Sequence, residues 1–266
     1  MQAHENIAAL AASPGGREAL SAERTYYVRT DGSDSNDGLA NTSGGAFLTI
    51  QKALDTAASL DTVIYNVNIE VDAGTFTGAS TLKAAVGAGT IIISGAGTST
   101  IISTTSNNGF FGADCGSYQI NNLKLQTTTS GSGLFVSGPR TNVTCTGLEF
   151  GTCAGAHIRA TNGSRLRLLT YTISGGAPIH YQAEYQAGIT CVSVTVTLTG
   201  TPAFSSVFAR IDKLALLDVE GVTWSGAATG SRYLVSTNAV LNTATGSTTT
   251  LPGNSAGSTA TGGQYT

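Results

Sequence analysis

Charged residues are scarce in this sequence. They make up 11% of its 266 residues, with 13 Lys and Arg against 16 Asp and Glu, so the formal net charge is −3. An ordinary soluble domain is about 25% charged. Because basic residues are neither numerous nor in excess, we expect no binding to nucleic acid and no attachment to an anionic membrane. The hydrophobic share of 41% is nevertheless that of a chain that folds.

Long apolar runs, signal sequences and cofactor motifs are also missing. No apolar stretch approaches the ~18 residues of a membrane-spanning helix. Residues 1–16 lack the basic end and the long apolar segment of a secretory signal. Neither a phosphate-binding glycine loop nor a dinucleotide motif is present. The sequence therefore predicts no membrane insertion and no cofactor.

Four cysteines occur, and none has the spacing of a metal ligand. No C-x-x-C pair is formed by Cys115, Cys145, Cys153 and Cys191, and no histidine stands nearby at ligand spacing. We interpret them as buried free thiols rather than as disulfides or metal ligands, and we expect no metal site.

The first 24 residues are rich in Ala, Leu and Glu. The segments NIAALAA and REALSAE predict two short helical turns, which are separated by Ser13-Pro14-Gly15-Gly16. A piece of this size cannot bury a core alone. We therefore interpret residues 1–24 as an arm that packs against another subunit or a larger assembly.

One convincing helix is predicted at 46–60. Apolar residues recur there at helical spacing, at Phe47, Ile50, Leu54 and Ala57, and form a single stripe. A helix with one apolar side suits a cap over the end of a larger core.

Short β-branched strands alternate with small-residue turns from residue 61 to about residue 245. Strand-like triplets recur every 22 to 28 residues, and a second series follows the first by about a dozen residues. The first series begins at Phe110, Leu134, His157, Ile179, Val207 and Tyr233, and the second comprises LKL (123–125), LEF (148–150), LTYTI (169–173), VTVTL (194–198) and LDVEGVTW (217–224). Two phase-locked strands per interval predict the coils of a parallel β-solenoid, and residues 246–266 are interpreted as a Gly/Ser/Thr-rich C-terminal tail.

Equivalent positions of consecutive coils are expected to stack about 4.8 Å apart. Lys124 in LKL and Glu149 in LEF hold the same outward position. We therefore predict an exposed ion pair between them, worth at most ~1 kcal/mol. This pairing favours a structural role for Glu149 over a catalytic one.

Three features stand together in residues 25–58. They are YYV (26–28), the loop DGSDSNDG (31–38) and FLTIQKA (47–53) leading into the predicted helix. The loop has the oxygen-rich composition of a calcium site but lacks the spacing of one, so we interpret it as a structural turn. The whole segment resembles the N-terminal motif of right-handed parallel β-helix proteins of the pectate-lyase-like superfamily. It is most similar to the version found in bacteriophage tail spikes and tail fibres.

The resemblance implies an all-β, right-handed parallel β-helix with an N-terminal capping helix. It further implies a virion spike or fibre that recognises a host-surface glycan, capsule or lipopolysaccharide. A homotrimer located on the virion is implied as well, with residues 1–24 docking it to other virion or tail proteins. The same motif precedes lyases, glycosidases, epimerases and binding rods without activity. A polysaccharide depolymerase of the glycoside hydrolase type and a purely structural virion protein are therefore the alternatives.

Glycoside hydrolysis on this fold would need two carboxylates ~5–10 Å apart. Asp218 and Glu220 alternate along one predicted strand, about 6.6 Å apart, and Glu184 stands one coil before them. These three are the candidate catalytic residues if the chain is a glycosidase. The same alternation is typical of a solvated strand face, and the arginines at 159–167 lack the clustered acids of a lyase.

Aromatic and planar hydrogen-bonding side chains concentrate in two consecutive coils. If Ile158 and Ile179 point inward, their neighbours project outward or lie on the turn beyond. The candidate glycan-binding residues are His157, Arg159, His180, Tyr181 and Tyr185, with Trp224 further along the chain. Aromatic faces stack on the C–H groups of sugars, while polar groups bond their hydroxyls. A subunit interface would have the same composition, and Trp224 is equally compatible with the core.

Overall fold

A computed structural model describes residues 16–266, so the NIAALAA segment lies outside the described residues. The described chain is a parallel β-solenoid, in which successive coils add strands to three sheets of ten, eight and seven strands. Strands pair in parallel from coil to coil. The predicted fold class is therefore confirmed. No helix of the described part is long and apolar enough to span a membrane.

The three sheets are named A, B and C. Sheet A contains β1 (Arg24–Val28), β2 (Val67–Val71), β5 (Ile91–Gly95), β8 (Ser117–Asn121), β11 (Asn142–Thr146), β14 (Arg165–Leu168), β17 (Gly188–Thr190), β20 (Leu216–Asp218), β23 (Val240–Asn242) and β25 (Gln264–Tyr265). Sheet B contains β4 (Ser80–Leu82), β7 (Phe110–Ala113), β10 (Leu134–Ser137), β13 (Ile158–Thr161), β16 (Ala177–Ala183), β19 (Ala203–Ile211), β22 (Thr229–Val235) and β24 (Ser258–Thr259). Sheet C contains β3 (Gly74–Phe76), β6 (Thr100–Thr104), β9 (Lys124–Thr127), β12 (Glu149–Phe150), β15 (Tyr171–Ile173), β18 (Thr195–Leu198) and β21 (Thr223–Ser225). Each coil runs from sheet A to sheet C to sheet B, and the turns that return the chain from sheet B to sheet A form the B–A ridge.

The core is the column of side chains that the three sheets enclose. In sheet A, matching register positions of five successive coils hold Ile69, Ile93, Ile120, Cys145 and Leu168, all buried. Stacked aliphatic side chains remove apolar surface from water at every coil. Cys145 belongs to this column, and all four cysteines are buried and free, as predicted.

Helix α1 (Ile50–Ala58) closes the N-terminal end of the core. All four residues of the predicted apolar stripe are buried. The helix is shorter than the predicted 46–60, because Phe47 is extended and its N–H bonds the Tyr27 carbonyl. Thr49 is the N-cap, and its hydroxyl accepts a backbone N–H of the first turn.

The loop at residues 31–38 holds the start of this helix. Asp34 Oδ1 accepts the N–H groups of Leu48 and Thr49 at 3.0 and 2.9 Å, and Oδ2 accepts the Thr49 hydroxyl at 2.7 Å. Asp37 accepts the N–H of Leu39 at 2.9 Å. The loop carboxylates therefore bond the local chain, in line with the interpretation of a structural turn.

Replacing Asp34 by alanine is expected to lower the free energy of unfolding by about 1–3 kcal/mol, because three hydrogen bonds at the helix start are lost. Urea unfolding followed by circular dichroism measures the change. Asp37→Ala, which removes a single hydrogen bond, is the matched control. An equal effect of the two substitutions, or a rise of the wild-type midpoint with added calcium, would contradict the structural assignment.

Two segments differ from their predictions. Residues 17–23 form no helix, because Ala19 pairs with Asp61 as an isolated parallel bridge and Leu20 is buried. Pairing with a distant segment here outweighs local helix propensity. Residues 246–266 are not a separate tail, because β24 and β25 within them pair with β22 and β23 and add a further coil. Ladder hydrogen bonds come from the backbone, so a Gly/Ser/Thr-rich composition does not prevent them.

Each complete coil has three strands, two of which the predicted series identified. The two predicted series correspond to sheets B and C, except that LDVEGVTW supplies β20 of sheet A and β21 of sheet C. The Lys124–Glu149 ion pair is confirmed, with Nζ and Oε1 2.7 Å apart, but both side chains are partly buried rather than exposed. Burial raises the pKa of Glu149, but hydrogen bonds from Lys124 and Ser174 outweigh it and leave the pKa below its usual value.

Candidate functional site

The B–A ridge carries five stacked four-residue turns. They span residues 161–164, 184–187, 212–215, 236–239 and 260–263, and in each the first C=O accepts the fourth N–H. Both central residues of every turn have positive φ. This is the geometry of a type I′ turn, which normally uses Asn and Gly because these residues tolerate positive φ.

Two of the turns carry large side chains instead. Tyr185 and Gln186 have φ of 52° and 62°, and Lys213 and Leu214 have φ of 55° and 63°. An L-residue in this region costs about 1–2 kcal/mol relative to a relaxed backbone. Strained backbone that displays particular side chains is typical of functional surfaces.

The displayed side chains border an open groove. Tyr185 is 50% exposed and Leu214 is 57% exposed. The Lys213 ammonium lies 4.2 Å from the centroid of the Tyr185 ring and donates to its hydroxyl at 3.1 Å. The groove has a volume of about 650 Å³ and is lined by Pro139, Asn162, Gly163, Tyr185, Gln186, Lys213, Leu214, Thr237 and Asn238. An aromatic face, an aliphatic side chain and a cation are thus presented together.

Two carboxylates lie beneath this surface on adjacent coils. Glu184 and Asp212 are buried. Glu184 binds Arg159 Nη2 at 3.2 Å and Lys213 Nζ at 3.4 Å, while Asp212 binds Arg210 Nε at 3.2 Å and lies 3.7 Å from Lys213 Nζ. Burial raises the pKa of Glu184, but the hydrogen bond from Arg159 and the nearby cations more than offset burial and lower it. Glu184 is therefore ionised near neutral pH and is a poor proton donor.

Arg159 extends the site onto the outer face of sheet B. Its guanidinium lies 4.7 Å from the centroid of the Phe135 ring, and that ring lies 5.2 Å from Phe111. The strand register places these three residues in one outward row with Gln182 and Arg210. A row of aromatic and planar polar side chains therefore runs along the solenoid axis beside the ridge.

Three predicted glycan-binding residues lie in the core instead. His157, His180 and Tyr181 are fully buried, so the prediction that they project outward or onto a turn is wrong. That prediction assumed strict alternation. Two neighbouring residues point inward in each of these coils, His157 with Ile158 and His180 with Tyr181, and the register of sheet B shifts at the start of β16.

These buried side chains form a hydrogen-bonded chain. His157 Nδ1 lies 2.9 Å from His180 Nδ1, and His180 Nε2 lies 2.8 Å from the Tyr171 hydroxyl. Tyr171 in turn is hydrogen-bonded to Tyr181, and the Tyr181 hydroxyl is hydrogen-bonded to the Cys191 thiol. All five residues are buried, so the chain belongs to the core and not to the groove.

The remaining candidates lie apart from the groove. Asp218 ends β20 and Glu220 lies in the turn after it, where its N–H bonds Asp218 Oδ1 at 3.3 Å. The two therefore do not alternate along a strand, and neither bonds Glu184 in the described structure, so the predicted set of three acids is not assembled. Trp224 is partly buried in β21 and packs edge-on against Phe208 at 5.3 Å, which makes it part of the core margin.

Three of the predicted residues do come together, Arg159, Glu184 and Tyr185. Sequence reasoning missed Lys213 and Leu214, which complete the groove. A signal for them exists in the turn spacing. Three other ridge turns hold Asn162-Gly163, Thr237-Asn238 and Thr261-Gly262 at the equivalent positions, so a Lys-Leu pair there is conspicuous once the coils are aligned.

Comparisons with known proteins concern the course of the backbone. No protein-family model matches this sequence, and no curated protein matches it. Among solved structures, a pectin methylesterase from Aspergillus niger is 14% identical, with 93% of this chain and 81% of that chain covered and a TM-score of 0.47. A rice weevil pectin methyl esterase is 13% identical, with 87% and 82% covered and a TM-score of 0.42. At such identities no site residue is transferred, and the function is argued from this chain's own groove.

Proposed function

We propose that this chain binds a polysaccharide in the groove of the B–A ridge. The observation that carries the proposal is the pair of strained turns that display Tyr185, Lys213 and Leu214 where Asn and Gly would relax the backbone. The Tyr185 ring offers a face for sugar C–H groups, and Lys213, which donates two of its three N–H groups to Glu184 and Tyr185, offers the third to a hydroxyl. Leu214 adds apolar contact, and the ion pairs beneath hold the two turns in place.

The biological setting that we propose follows from the N-terminal motif. In a virion spike or fibre, the groove would recognise a host-surface glycan, either capsule or lipopolysaccharide. The long ridge suits an extended polymer, because equivalent turns repeat along it at the spacing of the coils. A homotrimeric assembly, and attachment through the part of residues 1–24 that precedes the bridge at Ala19, remain part of this proposal.

A second candidate function is cleavage of the same polysaccharide. It is favoured by Glu184 and Asp212, two carboxylates on adjacent coils at the edge of the groove, and by Asp212 Oδ1, which is buried without a hydrogen-bond partner among the described residues. Glycosidases need one carboxyl that donates a proton. Because the cations keep Glu184 ionised, we place binding ahead of cleavage.

Tyr185→Ala and Leu214→Ala are each expected to weaken retention on immobilised capsule or lipopolysaccharide about 10-fold or more, since each removes roughly 1.5–3 kcal/mol of apolar contact. Affinity chromatography or biolayer interferometry on the purified chain measures the loss. Leu39→Ala is the matched control, because Leu39 is a similarly exposed leucine (49%) in the N-terminal loop. Tyr185→Phe keeps the ring and is expected to retain most of the affinity.

Unchanged binding by both alanine variants would overturn the groove as the glycan site. Reducing ends are measured in parallel with retention. Release of reducing ends by the wild-type chain, abolished in Glu184→Gln, would establish the depolymerase instead of a binding protein. Retention without release supports the proposed function.

A further inference from the structure

Two arginines of the chain have no partner among the described residues. The chain has 13 Lys and Arg. Most of them are in ion pairs, and Arg17, Lys52 and Arg232 contact a carbonyl, an aromatic ring and a carbonyl, respectively. The exceptions are Arg165 and Arg167, whose guanidinium groups form no ion pair, hydrogen bond or ring contact within residues 16–266 and which are both exposed. In a chain so poor in charge, two free cations on one short strand need an explanation.

Both arginines lie on the outer face of β14. Residues at i and i+2 of a strand point to the same side about 6.6 Å apart. The register places Arg165 between Asn142 and Gly188, and Arg167 between Thr144 and Thr190. Those flanking positions are uncharged, so no acid neutralises either guanidinium from the adjacent coils. The face combines two cations with amide and hydroxyl groups.

This face adjoins the groove of the B–A ridge. Asn162 and Gly163 line the groove, and β14 begins at Arg165, two residues further on. A polymer lying in the groove and leaving it towards sheet A therefore crosses the two arginines. Gly188, opposite Arg165, has nothing within 4 Å of the position that a Cβ would occupy, so the approach to this guanidinium is open.

We infer that Arg165 and Arg167 form an anion subsite for an acidic polysaccharide, one that carries carboxylate or sulfate groups. This inference rests on the proposed function and specifies its ligand class. A guanidinium offers paired N–H donors that match the two oxygens of a carboxylate or sulfate. Free arginines on a polar, uncharged face retain this capacity, whereas those of the ion pairs have already used it.

The test compares two probes with one backbone, carboxymethyl-dextran and unmodified dextran. The intact chain is expected to retain carboxymethyl-dextran at least 10-fold more tightly, and added salt is expected to reduce the difference. Arg165→Gln/Arg167→Gln is expected to abolish the preference. Lys52→Gln/Lys83→Gln is the matched control, since it also removes two positive charges, but near α1 and away from β14. It is expected to leave the preference unchanged.

A second variant keeps both arginines. Gly188→Asp places a carboxylate beside Arg165 at a position with open space and no positive φ. The new carboxylate is expected to form an ion pair with the Arg165 guanidinium. Binding of carboxymethyl-dextran is then expected to weaken at least several-fold without loss of the fold. Circular dichroism and the urea midpoint verify that the fold is kept.

Equal retention of the two dextrans, retention of neither, or unchanged retention by the double glutamine variant would overturn the anion subsite. Tighter retention on single-stranded DNA than on carboxymethyl-dextran would overturn the assignment to a saccharide. A different result would refute the proposed function, namely that Tyr185→Ala and Leu214→Ala bind capsule or lipopolysaccharide as tightly as the wild-type chain. The two inferences are thus refuted by different results.

Discussion

Lowering the pH from 7 to 5 is expected to destabilise this chain by about 2 kcal/mol through one buried histidine, and further through a second one. The residues are His157 and His180, whose rings face each other through their Nδ1 atoms inside the core. Burial lowers the pKa of His157 from 6.5 to about 4, against the opposing effect of the Gly151 and Gly176 carbonyls. Burial, together with the neighbouring His157, also lowers the pKa of His180.

The sign of the effect follows from proton uptake. Between pH 6.5 and about 4, a histidine of the unfolded chain is protonated while His157 in the folded chain stays neutral. The unfolded state binds more protons in this window, so stability falls as the pH falls. No carboxylate within residues 16–266 faces the pair to hold a positive charge, because its hydrogen-bond partner is Tyr171 and its ring neighbours include Phe150 and Phe204.

Urea midpoints at pH 7, 6 and 5 measure this loss. The control is His157→Leu/His180→Leu, which keeps a similar volume and leaves Tyr171 bonded to Tyr181. It is expected to remove most of the pH dependence between 7 and 5. Carboxylates held by cations, such as Glu149 and Glu184, have lowered pKa values and lose their stabilisation below this window. A wild-type slope that persists in the double variant would contradict the assignment.

The histidine pair also explains where sequence reasoning failed. A period-2 pattern assigns neighbouring residues to opposite faces, so an inward Ile158 placed His157 outside. His157 lies in the bend before β13, where strict alternation does not hold, so both residues are buried, and the polar rings are tolerated there because they bond one another and Tyr171. Nothing in one coil's sequence reveals a partner that comes from the next coil.

Features that depend on the repeat itself were predictable. Lys124 and Glu149 hold equal positions in two similar triplets, so their pairing follows from the register alone. The cap helix has its own periodicity. By contrast, strands such as β8 (SYQIN) are absent from the two predicted series. Backbone hydrogen bonds to the strands on either side stabilise a polar sequence as well as an apolar one, so a polar strand is not recognised by its pattern. The groove depends on turn geometry across coils, so of the groove and the ion pairs beneath it only Tyr185, Arg159 and Glu184 were predictable.

The ion pairs under the groove are expected to be its structural support. Removing both cations with Arg159→Met/Lys213→Met is expected to lower the free energy of unfolding by about 2–3 kcal/mol, between the values for exposed and buried pairs, because the cations are partly exposed while Glu184 is buried. Glu184 then stays in the protein interior without a cation, and Gln182 Nε2 remains as a side-chain donor to it at 3.1 Å. The strained Tyr185 turn that it anchors is expected to loosen with it.

Adding Glu184→Gln to this double variant is expected to restore most of the lost stability, since an amide in place of the carboxylate removes the uncompensated charge. Glu184→Gln alone is expected to cost less than the two cation substitutions together, because Arg159 and Lys213 reach solvent and Lys213 keeps Asp212. Urea midpoints of the single, double and triple variants form the thermodynamic cycle that isolates the coupling. If the triple variant is no more stable than the double, the stability lost in the double variant comes from packing of the two cation side chains on Phe135 and Tyr185 rather than from charge, since those ring contacts are lost in both variants. A restored triple variant that still fails to bind polysaccharide would assign a direct contact with the ligand to Lys213 or Arg159, because the fold beneath them is then intact.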